Sequence, residues 1–297
     1  MLDQADKLRQ LVRETVKENA ALEPGVPLVT VSGARDGVGS SVVALRLAEE
    51  LVQLGKRIVL VDANLVHPTL AGLLQVNSHA GIAEVLSGTR SAAEVLEPIG
   101  SGLHLLPGSA SGNPPEMNLR ALRRLLTELR ALRNYADLIV LDAGCGMSPW
   151  VERMWTAALH ILLVATPEAG SLRDAYTTVK MAPWGDVDGK LRLVVNQCDD
   201  AKLANRVGDG FSSTCRQFLQ MKLVGTAAQI TPDPSLTESG RNFSGTSHRQ
   251  SVRLLAADVL SQACVFSHRI QGTPSHYGAA SQAASLLSEV PTSGHVS

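Results

Sequence analysis

Cysteine is scarce and scattered. The chain's four, Cys145, Cys198, Cys215 and Cys264, form no CxxC pair and no His/Cys grouping at zinc-ligand spacing. That argues against a zinc module and fits a reduced cytosolic setting. An excess of either charge is also missing, since 27 basic and 28 acidic residues leave a net charge of -1. Whole-chain electrostatics draw the protein neither to nucleic acid nor to anionic lipid, and no specific nucleic-acid binding is expected. No apolar run approaches the roughly 18 residues of a membrane span. The opening MLDQADKLRQ lacks the apolar stretch of a signal peptide. The expected location is cytoplasmic, with any membrane association peripheral and at the inner face.

Short apolar runs, by contrast, recur: LVTVS from Leu28, IVLVD from Ile58, LHLLP from Leu103, LIVLD from Leu138, ILLVA from Ile161 and LRLVVN from Leu191. Runs apolar at every position suit strands covered on both faces, and the segments between them carry helical periodicity for right-handed crossovers. The expected fold is α/β, a doubly wound, mostly parallel sheet of P-loop type. A helix is predicted from near Met117, with Leu119, Leu122, Leu125, Leu126, Leu129 and Leu132 on one stripe and arginines largely elsewhere as a solvated face. The chain divides into residues 1–25, a short amphipathic helix (Asp3 to Leu22) and linker; 26–268, the α/β body; and 269–297, a Ser/Ala/Gly-rich tail expected to be disordered.

The turn after the first strand carries the chemistry. Glycines there let backbone N–H groups converge on phosphate oxygens while the next helix aims its positive end at the same charge. Set against GxxxxGK[ST], the chain offers Ala34, Arg35, Asp36, Gly37, Val38, Gly39, Ser40 and Ser41. Ser41 keeps the hydroxyl suited to magnesium, and Ser40 stands where the lysine belongs. That loss removes on the order of 1.5–3 kcal/mol of ground-state binding and ~100-fold or more in rate. Asp36 adds a carboxylate that repels a triphosphate unless turned away or bound to a cation, and Arg35 is the available compensation. Asp62 and Asp142 each close an apolar strand, at the sheet edge where ligands of such folds collect, and are candidate magnesium and catalytic carboxylates. Taken alone, either could simply cap the following helix.

In sequence order the turn, VDANLVHPTLAGLL, GIAEVLSG, LHLLPGSAS, YADLIVLDAGCG, VATPEAGSLRDAYTTVK and LRLVVNQ resemble the MinD/ParA family of deviant-Walker ATPases, in the branch of the flagellar regulators FlhG. The resemblance spans residues 1 to about 265. It implies ATP or ADP with magnesium as cofactor, held by Arg35, Gly37, Val38, Gly39, Ser40 and Ser41. Asn196 would lie at the adenine, and Thr231, Pro232 and Asp233 in the base pocket. It further implies a nucleotide-dependent homodimer. Asp3, Gln4, Ala5, Leu8 and Arg9 reproduce the branch's DQAxxLR motif, which implies a helix that activates an FlhF-like GTPase of the signal-recognition-particle type. A capped helix with Asp and Gln in its first turn reads the same way.

Three family features are changed together. Both lysines of KGGVGKT are replaced, by Arg35 and Ser40, and the second Asp of the DxD strand end is Asn64, which cannot act as a base. The expected protein is a regulator of spatial organisation with weak or absent hydrolysis, against an active ATPase that uses Arg35. A different class also fits in part: Gly33, Gly37 and Gly39 match the TGxxxGxG of short-chain dehydrogenases, and Tyr176 with Lys180 their YxxxK pair. Against it stand the breaker-rich Pro183–Gly189 stretch and the lack of an NNAG segment. An autophosphorylating tyrosine kinase, for which VDANLVHPTL speaks, lacks both the lysine and a tyrosine-rich tail.

Overall fold

The computed structural model describes residues 25–108, 118–183, 187–232 and 246–270. In chain order the elements are β1 (Leu28–Gly33), α1 (Ser40–Gln53), β2 (Ile58–Asp62), α2 (Leu70–Leu73), α3 (Ile82–Ser87), β3 (Glu97–Gly100), β4 (Leu103–Leu106) and α4 (Leu119–Ala131). They continue with β5 (Leu138–Cys145), α5 (Pro149–Ala157), β6 (His160–Ala165), α6 (Ala169–Met181), β7 (Leu191–Val195), α7 (Ala201–Leu219), β8 (Ala228–Gln229) and α8 (Thr246–Ile270). Asp3, Gln4, Ala5, Leu8 and Arg9, Asp233, and the tail from Gln271 lie outside the described residues.

The strands form one sheet in the order β3-β4-β2-β5-β1-β6-β7-β8. Every pairing is parallel except β3 against β4. The six apolar runs are six of these strands. The two added at the edges, β3 and β8, are too short or too polar to carry an apolar run, and β3 alternates half-buried and exposed positions as a one-sided edge strand does.

Two cores follow from the alternation of side chains along each strand. On β1, Val29 and Val31 face a layer built by α1 and α8, with Val43, Leu47, Leu51, Val252, Leu255 and Val259 packed beneath. Leu28 faces the other layer, of α3 to α7, with Leu125, Leu129, Trp155 and Val179 in its core. Each fully buried leucine or valine contributes about 1.5–3 kcal/mol. Thr30 and Ser32 of β1 are polar and buried, and α5 satisfies them: Trp155 Nε1 donates to Ser32 Oγ at 2.8 Å, and Thr30 Oγ1 lies 3.4 Å from the Met154 carbonyl.

Helix α4 begins at Leu119 behind Asn118, whose side chain accepts from Ala121 N. It buries Leu122, Leu125, Leu126 and Leu129, while Arg120 and Arg123 are exposed and Arg124 reaches the Leu86 carbonyl at 3.1 Å. Helix α1 carries a buried charge of each sign. Arg46 and Glu50 are each 1% exposed there, Arg46 pairing with Glu49 at 2.9 Å and Glu50 with Arg249 of α8 at 2.8 Å. The Glu50–Arg249 pair fastens the first turn of α8 to the helix that follows the glycine-rich turn.

Candidate functional site

Strand β1 lies between β5 and β6, so its carboxyl end opens at the centre of the sheet. The turn leaving it bends at Gly37 and Gly39, with φ of +80° and +83°. Gly39 caps α1 without a side-chain hydrogen bond, which leaves the first-turn N–H groups of a 14-residue helix available to an anion. Two contacts fix the turn from outside: Ala34 N donates to the Val164 carbonyl at 2.8 Å, and Asn196 Nδ2 donates to the Val38 carbonyl, also at 2.8 Å. A side chain on Gly39 would begin 2.7 Å from Asn196 Nδ2. Asn196 is buried and braces the loop with its amide. Gln197, in left-handed conformation at φ +57°, is exposed beside it.

Ser40 does not extend outward as a lysine would. Its Oγ turns back to within 3.1 Å of where a Gly33 side chain would start. Ser41 instead faces the neighbouring strand, and its hydroxyl acts on the Asp142 carboxyl.

Asp142 ends up beside Asp62 because β2 and β5 pair in register there. Both carboxyls are fully buried, and each keeps one oxygen without a hydrogen-bond partner, Asp62 Oδ1 and Asp142 Oδ2. The other oxygens are occupied: Asp62 Oδ2 accepts from Thr69 N and Leu70 N, both at 2.9 Å, and Asp142 Oδ1 lies 3.3 Å from Gly144 N. Burial pushes the Asp62 carboxyl up to about 7, with the Asp142 charge adding to the rise and the Leu70 and Thr69 amides opposing it. Burial raises Asp142 as well, and Ser41 pulls it back. Two buried carboxyls with orphaned oxygens beside a serine hydroxyl fit a hard divalent cation that takes oxygen ligands and keeps several waters. Helix capping alone accounts for one oxygen of Asp62 and leaves the other unexplained.

Arg35 and Asp36 sit at the exposed rim. Arg35 Nη1 is 4.0 Å from Asp174 of α6, a half-exposed pair worth ~0–1 kcal/mol. Asp36 is turned toward the end of β5, where the Cys145 thiol donates to its Oδ1 at 2.9 Å. A second tie, Gly146 N to the Gly33 carbonyl at 3.2 Å, joins the same two loops. Asn64 Oδ1 accepts from His67 N at 3.1 Å, and its side chain lies against Gly144, where a methyl would come within 2.8 Å of Asn64 Cγ.

Burial raises the Cys145 thiol to about 11, and the hydrogen bond and charge of Asp36 add to that. Asp36→Asn removes the charge, leaves only a neutral amide oxygen to accept from the thiol, and keeps the burial. Alkylation of Cys145 by iodoacetamide at pH 8, followed by peptide mass spectrometry, is expected to run several-fold faster in this variant, because the thiolate is the nucleophile. An unchanged rate would mean that the thiol and carboxylate are not bonded in solution.

Pro232 is exposed, and the Thr231 carbonyl lies 2.7 Å from His248 Nδ1, which ties the segment to α8. The dehydrogenase pair is not at the turn: Tyr176 is partly buried against the α6–α7 side of the core and Lys180 is exposed. What sequence reasoning missed is Cys145 as a contact of the turn and Asn196 as its brace. The glycines flanking Cys145, which lies three residues past Asp142, were the available signal for the first.

The family model described as cellulose biosynthesis protein BcsQ matches residues 26–199, which hold the turn, both carboxylates and Asn196. The chain belongs to the BcsQ/MinD/ParA family. It is 26% identical to the antiactivator FleN of Pseudomonas aeruginosa over 210 residues, 70% of this chain and 74% of that one. It is also 26% identical to the flagellum site-determining protein YlxH of Helicobacter pylori, covering 52% of each, so it spans about half of that relative's length. Among solved structures, the septum site-determining protein MinD of Pyrococcus horikoshii, complexed with Mg-ADP, superposes with a TM-score of 0.60 at 17% identity, over 78% of this chain and 95% of that one. Among the described residues no helix is long and apolar enough to cross a membrane.

Proposed function

We propose that this member of the BcsQ/MinD/ParA family binds a magnesium nucleotide and uses it to gate contact with a partner, with weak or no hydrolysis. The observation that carries the reading is the pairing of an intact cradle with an incomplete catalytic set. The nest at Gly37 and Gly39, the helix N-terminus, Ser41 and the orphaned oxygens of Asp62 and Asp142 suit phosphates and a cation. Ser40 offers no charge to developing negative charge, and Asn64 holds its own loop where a base would be needed.

In such a site Arg35, Gly37, Val38, Gly39, Ser40 and Ser41 would cradle the phosphates. Ser41, Asp62 and Asp142 would hold magnesium, whose contribution is to neutralise phosphate charge. Asn196 and Pro232 would line the base side. Arg35 directed at Asp174 weighs against its serving as a substitute lysine within one protomer. The names of the relatives support spatial control of a cell-envelope structure, flagellum or septum, with cellulose biosynthesis added by the family model. Asp3, Gln4, Ala5, Leu8 and Arg9 would act on an FlhF-like GTPase.

The test is one titration of ATP with magnesium that records affinity, phosphate release and oligomeric state together. Saturable magnesium-dependent binding is expected, with phosphate release no faster than in Ser41→Ala. Release clearly above that control refutes the weak-hydrolysis reading, and binding indifferent to magnesium refutes the cation site. Loss of GTPase stimulation on changing Gln4 would separate regulator from enzyme.

A further inference from the structure

Among the contacts around the turn, one joins a rim carboxylate to the end of β5, the strand that carries Asp142. Cys145 Sγ donates to Asp36 Oδ1 at 2.9 Å, across the gap between the glycine-rich turn and the loop after β5. We propose that the Asp36–Cys145 pair makes this a nucleoside-diphosphate site, in which Asp36 stands in for a terminal phosphate and disfavours a triphosphate. The inference rests on the nucleotide reading above and adds which nucleotide the site selects.

Ser41 and the carboxyls of Asp62 and Asp142 would hold the cation that accompanies a bound nucleotide. A third phosphate would then extend toward the gap between the turn and the end of β5, where these two segments face each other. Asp36 already occupies that gap with one negative charge, held by the thiol and by the Gly146–Gly33 tie that keeps the two loops together. The charges that would offset a further phosphate are elsewhere: Ser40 is neutral and folded back on Gly33, and Arg35 reaches toward Asp174 and the start of α6. Like charges placed side by side disfavour the second one, to an extent that water moderates at this exposed rim. A diphosphate, by contrast, needs only the nest, the first turn of α1 and the cation, none of which Asp36 obstructs. The same contact in a lysine-bearing turn would be outweighed by the lysine's charge.

The full chain is titrated with Mg-ADP and Mg-ATP separately, by displacement of a fluorescent nucleotide, alongside Asp36→Asn and Cys145→Ala. Mg-ADP is expected to bind at least about 10-fold more tightly than Mg-ATP in the unaltered protein, a preference worth roughly 1.4 kcal/mol. In Asp36→Asn the ratio is expected to fall to within about threefold, chiefly through tighter Mg-ATP. In Cys145→Ala, where the carboxylate is untethered, it is expected to lie between the two. Equal affinities in the unaltered protein, or a preference untouched by Asp36→Asn, overturn this inference and leave nucleotide binding standing. Failure of both nucleotides to bind overturns the nucleotide reading itself.

Discussion

Gly39→Val is expected to abolish nucleotide binding, lowering affinity at least about 100-fold, while Gly37→Ala does far less. The two glycines have nearly the same backbone, φ of +83° and +80°, so any side chain at either meets left-handed strain, the β-branched valine more than alanine. Their surroundings differ. A Cβ on Gly39 would sit 2.7 Å from Asn196 Nδ2, whereas one on Gly37 meets nothing within 4 Å. Asn196 is buried and cannot retreat without losing its bond to the Val38 carbonyl. Valine there combines a strained left-handed conformation, about 1–3 kcal/mol, with a lost hydrogen bond of about 0.5–1.5 kcal/mol. A total near 3 kcal/mol is roughly two factors of ten. The loop can relieve the strain only by abandoning the geometry that converges its N–H groups. Calorimetric titration with the magnesium nucleotide, with thermal melting on the same samples, distinguishes the outcomes. Affinity within threefold of the unaltered protein for Gly39→Val would show that the nest does not hold the ligand.

That prediction could not have been made from the sequence. The pattern Arg35–Ser41 announces a phosphate turn, and the six apolar runs announce the sheet that presents it, because both signals are local. Asn196 lies far along the chain at the end of β7, and its use as a brace depends on β7 lying beside β6, which in turn pairs with β1. Nothing in its surroundings in sequence distinguishes it from an ordinary strand-ending turn former. Cys145 is similar. Beside Gly144 and Gly146 it reads as a small residue in a flexible link, and only the register of β1 on β5 brings its thiol to Asp36. Asp62 was legible as the last residue of its strand, but Asp142 does not close its own, because β5 runs on through Ala143 and Gly144 to Cys145. Their facing register, and the one oxygen each keeps without a partner, were not legible. The edge strands β3 and β8 escaped because a strand with one solvated face, or of two residues, has no apolar run to find.

Those orphaned oxygens support the second large effect: without divalent cation, Asp62→Asn is expected to be more stable than the unaltered protein, by an amount that grows with pH. The Asp62 carboxyl stands near 7 in the folded protein against 3.8 when free, so between those values the folded state holds a proton that the unfolded state has released. Stability from this group is therefore fully present below about pH 4, falls as pH rises through the folded value, and is flat above it. The proton belongs to the Asp62–Asp142 pair, because the two charges act on each other. The asparagine amide keeps an oxygen for Thr69 N and Leu70 N and puts an NH2 group where Oδ1 had no partner. The gain approaches on the order of 4 kcal/mol at pH 8 as an upper bound. Denaturant unfolding in EDTA at pH 5, 6.5 and 8 measures it, and parallel profiles for the two proteins, or a less stable variant at pH 8, would contradict the buried-pair geometry. Saturating magnesium with nucleotide should reverse the order, because a ligand that binds only the folded state stabilises the protein whose carboxylate can hold it. A pair of buried carboxyls found to weaken the empty protein and strengthen the loaded one would mark a site retained for its ligand despite the lysine its turn lacks.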